Sequence, residues 1–185
     1  MRLSTVIFYI LHTVLSLSWN IEESKTADYV YLRLIKPSTS GYHFKLSTSS
    51  FGPKFNTSYW AVNLVRTNPP QACSPIVNKP DILGSIAFIQ RGSCSFMSKV
   101  LYAEIAGAKA VIVHDNSDSE DGLIFMSADD TSRVSHVPSA FLGAKDSQYI
   151  LNLMYSINSD LAIVDFLCNV TNPDKIKLAP WNPWS

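Results

Sequence analysis

Residues 86–116, IAFIQRGSCSFMSKVLYAEIAGAKAVIVHDN, decide the fold. Ser85–Gln90 is almost wholly apolar, which is the pattern of a strand covered on both faces. Arg91-Gly92-Ser93 breaks it. A helix follows from about Ser95, with an apolar stripe at Met97, Leu101 and Ile105 flanked by Phe96, Val100 and Ala103. Gly107 stops the helix, because glycine accepts the left-handed conformation that ends one. Ala110–Val113 is a second apolar strand, closed by the polar run His114-Asp115-Asn116. Strand, helix, strand at this spacing predicts a βαβ unit with parallel strands and a right-handed crossover.

Outward from this unit the periodicity changes. On the N-terminal side Asp28–Lys36 alternates, with Val30, Leu32 and Leu34 facing inward and Tyr29, Tyr31, Arg33 and Ile35 outward. Tyr42–Leu46 and Trp60–Val65 read as further strands, separated by a Ser/Gly/Pro/Asn-rich loop. On the C-terminal side come a short strand at Leu123–Met126 and another at His136–Leu142. A helix over about Ala144–Asn158 has Ile150, Leu153, Met154 and Ile157 on one face, and a last strand covers Asp160–Leu167. Many strands with two helices predict a mixed α/β fold, a small β-sandwich or open barrel with two flanking helices and the embedded βαβ unit.

The βαβ residues also resemble the protease-associated (PA) domain. The resemblance is carried by Ile86-Ala87-Phe88-Ile89, Arg91-Gly92, Cys94-Ser95-Phe96, Lys99, Ala106-Gly107-Ala108, Ala110–Val113 and Asp115-Asn116, and continues through Val137–Leu142. Asp28–Tyr31, Asn169-Val170-Thr171 and the Pro180–Trp184 tail extend it to small secreted glycoproteins in which the domain stands alone. The resemblance implies the same sandwich-like architecture. It also implies a lid or protein-interaction platform without catalytic residues of its own.

The N-terminus predicts a compartment. Arg2, the apolar run Val6–Leu17 and the small residues Ser16 and Ser18 form a signal peptide, residues 1–18, cleaved before Trp19. The run is too short to span a bilayer of roughly 30 Å. Residues 19–185 then form one domain, with its core at about 28–168 and a Pro/Trp-rich tail at 172–185. The expected product is secreted and retains no membrane span. Its last residues are not a retrieval signal of the Lys-Asp-Glu-Leu type, which argues against a resident luminal or cargo-like protein.

Charge excludes one class of partner. Lys+Arg number 15 and Asp+Glu 15, with no basic cluster, so attraction to nucleic acid is not expected. Three cysteines in a secreted chain leave one over. A bridge between Cys73 and Cys94 would close a loop of about 20 residues, worth roughly 3 kcal/mol on the chain-entropy estimate. Cys94 read alone is also a candidate reactive thiol, since a helix start lowers a thiol pKa. The PA resemblance implies the Cys73–Cys94 pairing and leaves Cys168 as a small hydrophobe on the last strand.

Catalytic and metal signatures are weak. The histidines His43, His114 and His136 lack a His or Cys partner at ligand spacing, and no zinc-peptidase or nucleophile-elbow motif occurs. No phosphate loop is present, so no cofactor and no metal are expected. A hydrolase with a dispersed site is the alternative, with Ser93 or Ser95 as nucleophile and His114 or His136 as base.

The remaining signals are for modification and binding. Asn56-Thr57-Ser58 and Asn169-Val170-Thr171 are acceptors for N-linked glycans. The acidic loop after the second βαβ strand offers Asp115, Asn116, Asp118 and Asp121 to a protein partner, and lacks the register of a calcium loop. Trp181 and Trp184 in the tail either cover a groove on the chain's own surface or serve a partner as a polyproline-like ligand.

Overall fold

The computed structural model describes residues 29–38, 41–117, 122–168, 170 and 175–182. Their strands are β1 (Tyr29–Lys36), β2 (His43–Thr48), β3 (Tyr59–Arg66), β4 (Ile86–Gln90), β5 (Ala110–His114), β6 (Ser139–Leu142) and β7 (Leu161–Leu167). The helices are α1 (Lys79–Ile82), α2 (Phe96–Ile105) and α3 (Ala144–Ser156). The strands form a closed barrel in the order β1-β2-β6-β5-β4-β3-β7.

Three of the barrel's seven strand pairings are parallel and four antiparallel. β3, β4, β5 and β6 run parallel, with Ile86 opposite Ala110 and Val111 opposite Ser139. β7 is antiparallel to both β1 and β3, and that double pairing closes the sheet. The expectation of an open barrel or sandwich is corrected to a closed barrel. Closure removes the exposed strand edges that an open sheet would leave. Which strands pair across the barrel is a long-range matter that local periodicity does not encode.

The apolar run of β4 has a direct structural reason. Ile86 and Phe88 enter the core inside the barrel, while Ala87 and Ile89 enter a second core on its outer wall. β5 repeats the pattern, with Ala110 and Ile112 inward and Val111 and Val113 outward. The outer core is roofed by α2 and α1 through Met97, Val100, Ala103 and Ile82. β1 has only one buried face, built from Val30, Leu32 and Leu34, and therefore alternates. Each fully buried Leu, Ile or Phe in these cores contributes about 1.5–3 kcal/mol of transfer free energy.

Three further expectations change. The buried face of α2 is Met97, Val100 and Ala103, whereas Leu101 is half-buried and Ile105 is exposed. The stripe rotates because Lys99, a fully buried lysine, claims the face toward the disulfide loops. Residues 123–126 are not a strand; they hang from β2 by Ser47 Oγ donating to the Ile124 carbonyl. The short α1 is a third helix that periodicity did not indicate.

The helix ends obey local chemistry. Ser95 caps α2, its Oγ accepting from the Ser98 N–H at 3.2 Å. At the other end Gly107 has φ of 86°, and Ala108 N–H bonds back to Ala103 O at 3.0 Å. That is a Schellman closure, and glycine is required there. A Cβ on Gly107 would also meet Leu83 Cδ1 at 2.5 Å.

Candidate functional site at the parallel rim

β3, β4 and β5 run parallel, so their C-terminal ends meet at one rim. Arg66-Thr67, Gln90-Arg91 and His114-Asp115-Asn116 lie there. Rims of this kind gather loops from successive strands and are common binding positions in α/β sheets.

The rim is held from below. Cys73 and Cys94 form a disulfide with a Cα–Cα distance of 5.8 Å, tying the loop before α1 to the turn before α2. Lys99, fully buried, braces the same two loops. Its Nζ donates to Gln71 O at 2.7 Å and to Gly92 O at 2.6 Å. Burial disfavours the ammonium and lowers its pKa to about 8. Gly92 and Ser93 both have positive φ, 110° and 68°, so the turn that presents Arg91 has a fixed, tight path.

Asp115 is the rim's internal fastener. It is 1% exposed, and its Oδ1 accepts from the N–H groups of Asn116 and Ser117 at 2.8 and 3.2 Å. Arg91 Nη1 pairs with the same carboxylate at 3.3 Å. The expected partner role of Asp115 is therefore corrected: its carboxylate is consumed in shaping the loop. Arg91 is half-exposed and Asn116 is exposed, so these two form the accessible surface.

His114 lies beside them, 5% exposed, with its ring 4.4 Å from that of Phe88. Nδ1 sits 3.1 Å from the Asp115 carbonyl. Burial is the main cause that lowers its pKa to about 4, so the imidazole is neutral at pH 7. Between this rim and α3 is a cleft of about 210 Å³, lined in part by Arg66, Gln90, His114, Gln148 and Tyr155. Arg66 Nη1 pairs with Asp160 at 2.7 Å, and its guanidinium lies 4.8 Å from the Tyr155 ring.

The other expected residues are dispersed. Ser95 Oγ donates to Asp129 at 2.6 Å, and that bond leads the causes lowering Asp129 to about 2. His136 Nδ1 is 2.9 Å from Glu104 Oε1 instead. The structure thus places Ser95 and His136 in separate pairs. Among the described residues no group of three or more His, Cys, Asp or Glu is placed to hold a metal ion. Asn56 is exposed in a loop. Trp181 docks on its own domain: Nε1 donates to Asp146 Oδ1 at 2.7 Å and the ring lies 4.9 Å from Tyr149. That occupies Trp181 with its own surface, in place of the partner role. Asn169, Asp118, Asp121 and Trp184, like the whole of residues 1–18, lie outside the described residues.

Sequence reasoning missed Asp146, Lys99, Arg66 and Tyr155 as organising residues. A lysine on the buried side of an apolar helix was the one available signal, and it concerned Lys99.

The family of PA domains matches residues 60–150. The "PRADC1-like protein" of Drosophila melanogaster is 34% identical over 161 residues, covering 84% of this chain and 82% of its own. The chain belongs to the PRADC1-like family of PA-domain proteins. The PA segment also resembles part of longer proteins. The human "E3 ubiquitin-protein ligase RNF13" is 43% identical over 86 residues, 43% of this chain and 22% of the ligase. The human "ER degradation-enhancing alpha-mannosidase-like protein 3" is 33% identical over 91 residues, 46% of this chain and 10% of that protein. Among solved structures an aminopeptidase from Aneurinibacillus sp. strain AM-1 superposes with a TM-score of 0.53 at 21% identity. That likeness covers 76% of this chain and 31% of the aminopeptidase, and it shows a shared fold alone.

Proposed function

We propose that this chain is a non-catalytic, secreted glycoprotein that acts as a protein-interaction module of the PA type. The observation that carries the reading is the braced rim. A disulfide, a buried lysine and a buried aspartate all hold the Arg91–Ser93 turn and Asn116 in place, while those residues stay accessible. Rigid loops on a packed scaffold suit binding, because little ordering entropy is lost on association. Support also comes from the relatives. A similar segment is part of otherwise different proteins, a ubiquitin ligase and a mannosidase-like protein, which fits a transferable module. Secretion rests on the apolar run Val6–Leu17, and glycosylation on the sequons at Asn56 and Asn169, the first of them exposed.

The non-catalytic part is tested with the purified protein and a broad library of peptide and ester substrates. Turnover at the buffer rate is expected. Turnover above it that disappears in Ser95→Ala or His136→Ala, with folding intact, would replace this reading by a hydrolase.

A further inference from the structure

The cleft between the rim and α3 shares Asn116 with the interaction surface and has a chemistry of its own. Its floor is His114 on Phe88, its walls include Arg66, Gln90, Asn116 and Gln148, and Tyr155 stands at the lip. Among the described residues its charges are already paired. Arg66 is engaged by Asp160, and Asp115 by Arg91 and two backbone N–H groups. A charged ligand would have to break one of these pairs, and an apolar ligand would leave the lining polar groups unsatisfied, at about 1–3 kcal/mol each.

What the walls offer is groups that both donate and accept. The amides of Gln90 and Asn116 do so by nature. His114 adds an acceptor. The Nδ1 contact with a carbonyl is a hydrogen bond only if Nδ1 carries the proton, which makes Nε2 an acceptor. Hydroxyl groups are the ligand counterpart, since each donates once and accepts twice. Tyr155 is 56% exposed, with the Arg66 guanidinium over one face of its ring and the other face left to a ligand. A ring's negative face receives the polarised C–H edge of a saturated ring.

We propose that this cleft is a binding subsite for a neutral pyranose sugar. Its volume of about 210 Å³ suits one ring. An adjoining cleft of about 470 Å³ shares Arg66, Thr67 and Pro70 and continues past Asn68, Asn78 and Asp81, giving a second ring a place. The subsite does not rest on the interaction-module reading; either stands if the other fails.

The test is titration of the full-length secreted protein with methyl glycosides of glucose, mannose, galactose and N-acetylglucosamine. Binding is followed by isothermal titration and by ligand-observed NMR. Sodium acetate and glucuronate are the anionic probes. Saturable binding of at least one neutral glycoside is expected, with a Kd of about 1 mM. It should weaken about ten-fold in Tyr155→Ala and in Gln90→Ala, at unchanged melting temperature. Tyr155→Ala and Gln148→Glu, both at exposed helix positions, carry the test if Gln90→Ala unfolds. No saturation by any neutral glycoside up to about 50 mM overturns the proposal. So does tighter binding of glucuronate than of methyl glucoside, or wild-type affinity in the cleft variants.

Discussion

At the scale of single residues, the polar groups that matter are buried ones. Asp115, Lys99 and His114 are each almost without solvent, and each has a structural task at the rim. The sequence showed Asp115 as the start of an acidic, solvated run, because polarity alone does not distinguish a loop's anchor from its surface. His114 yields a pH prediction. Its folded pKa of about 4 lies below the ordinary 6.5, so in that interval the unfolded chain binds a proton that the folded chain refuses. The associated stability is present above pH 6.5 and is lost as pH falls toward 4, by about 3 kcal/mol at most. Denaturant unfolding at pH 7, 6, 5 and 4 should show that decline in the wild type and a flatter one in His114→Asn. Parallel curves would mean that His114 is not held neutral.

At the scale of elements, the disulfide and α2 act together. Cys73→Ser and Cys94→Ser should each cost about 2–5 kcal/mol, and the double variant no more than either, since all three open one bridge. Cys168→Ser should cost less, because Cys168 is a free buried thiol near Ser58. Chemical denaturation of the four variants checks this; additive losses would indicate two independent roles. The βαβ unit was legible because β4 and β5 are buried on both faces and so carry unbroken apolar runs. The buried face of α2 was not, because Lys99 there is satisfied by carbonyls of the turn before the helix and of the more distant Cys73 loop, and no periodicity records that. Residues 123–126 looked like a strand by composition yet stay outside the barrel ladder, since β6 already fills the place beside β2.

At the scale of the whole molecule, barrel closure and the place where the tail docks are the features least visible beforehand. Both depend on partners far apart in sequence: β7 on β1 and β3, and Trp181 on Asp146. Expression in animal cells should release a chain beginning near Trp19, with endoglycosidase-sensitive mobility that falls in steps with Asn56→Gln and Asn169→Gln. A band that keeps Met1, or that does not shift, would contradict the secretory reading. The braced rim is proposed as the interaction surface. The direct measurement is quantitative capture from the medium of secreting cells, comparing wild type, Ser93→Arg/Asn116→Arg, and Asn63→Arg on the barrel wall, all at equal melting temperature. Partners captured by the wild type and by Asn63→Arg should be lost from the rim variant; the same partners at equal yield on all three would rule the rim out as the interaction surface.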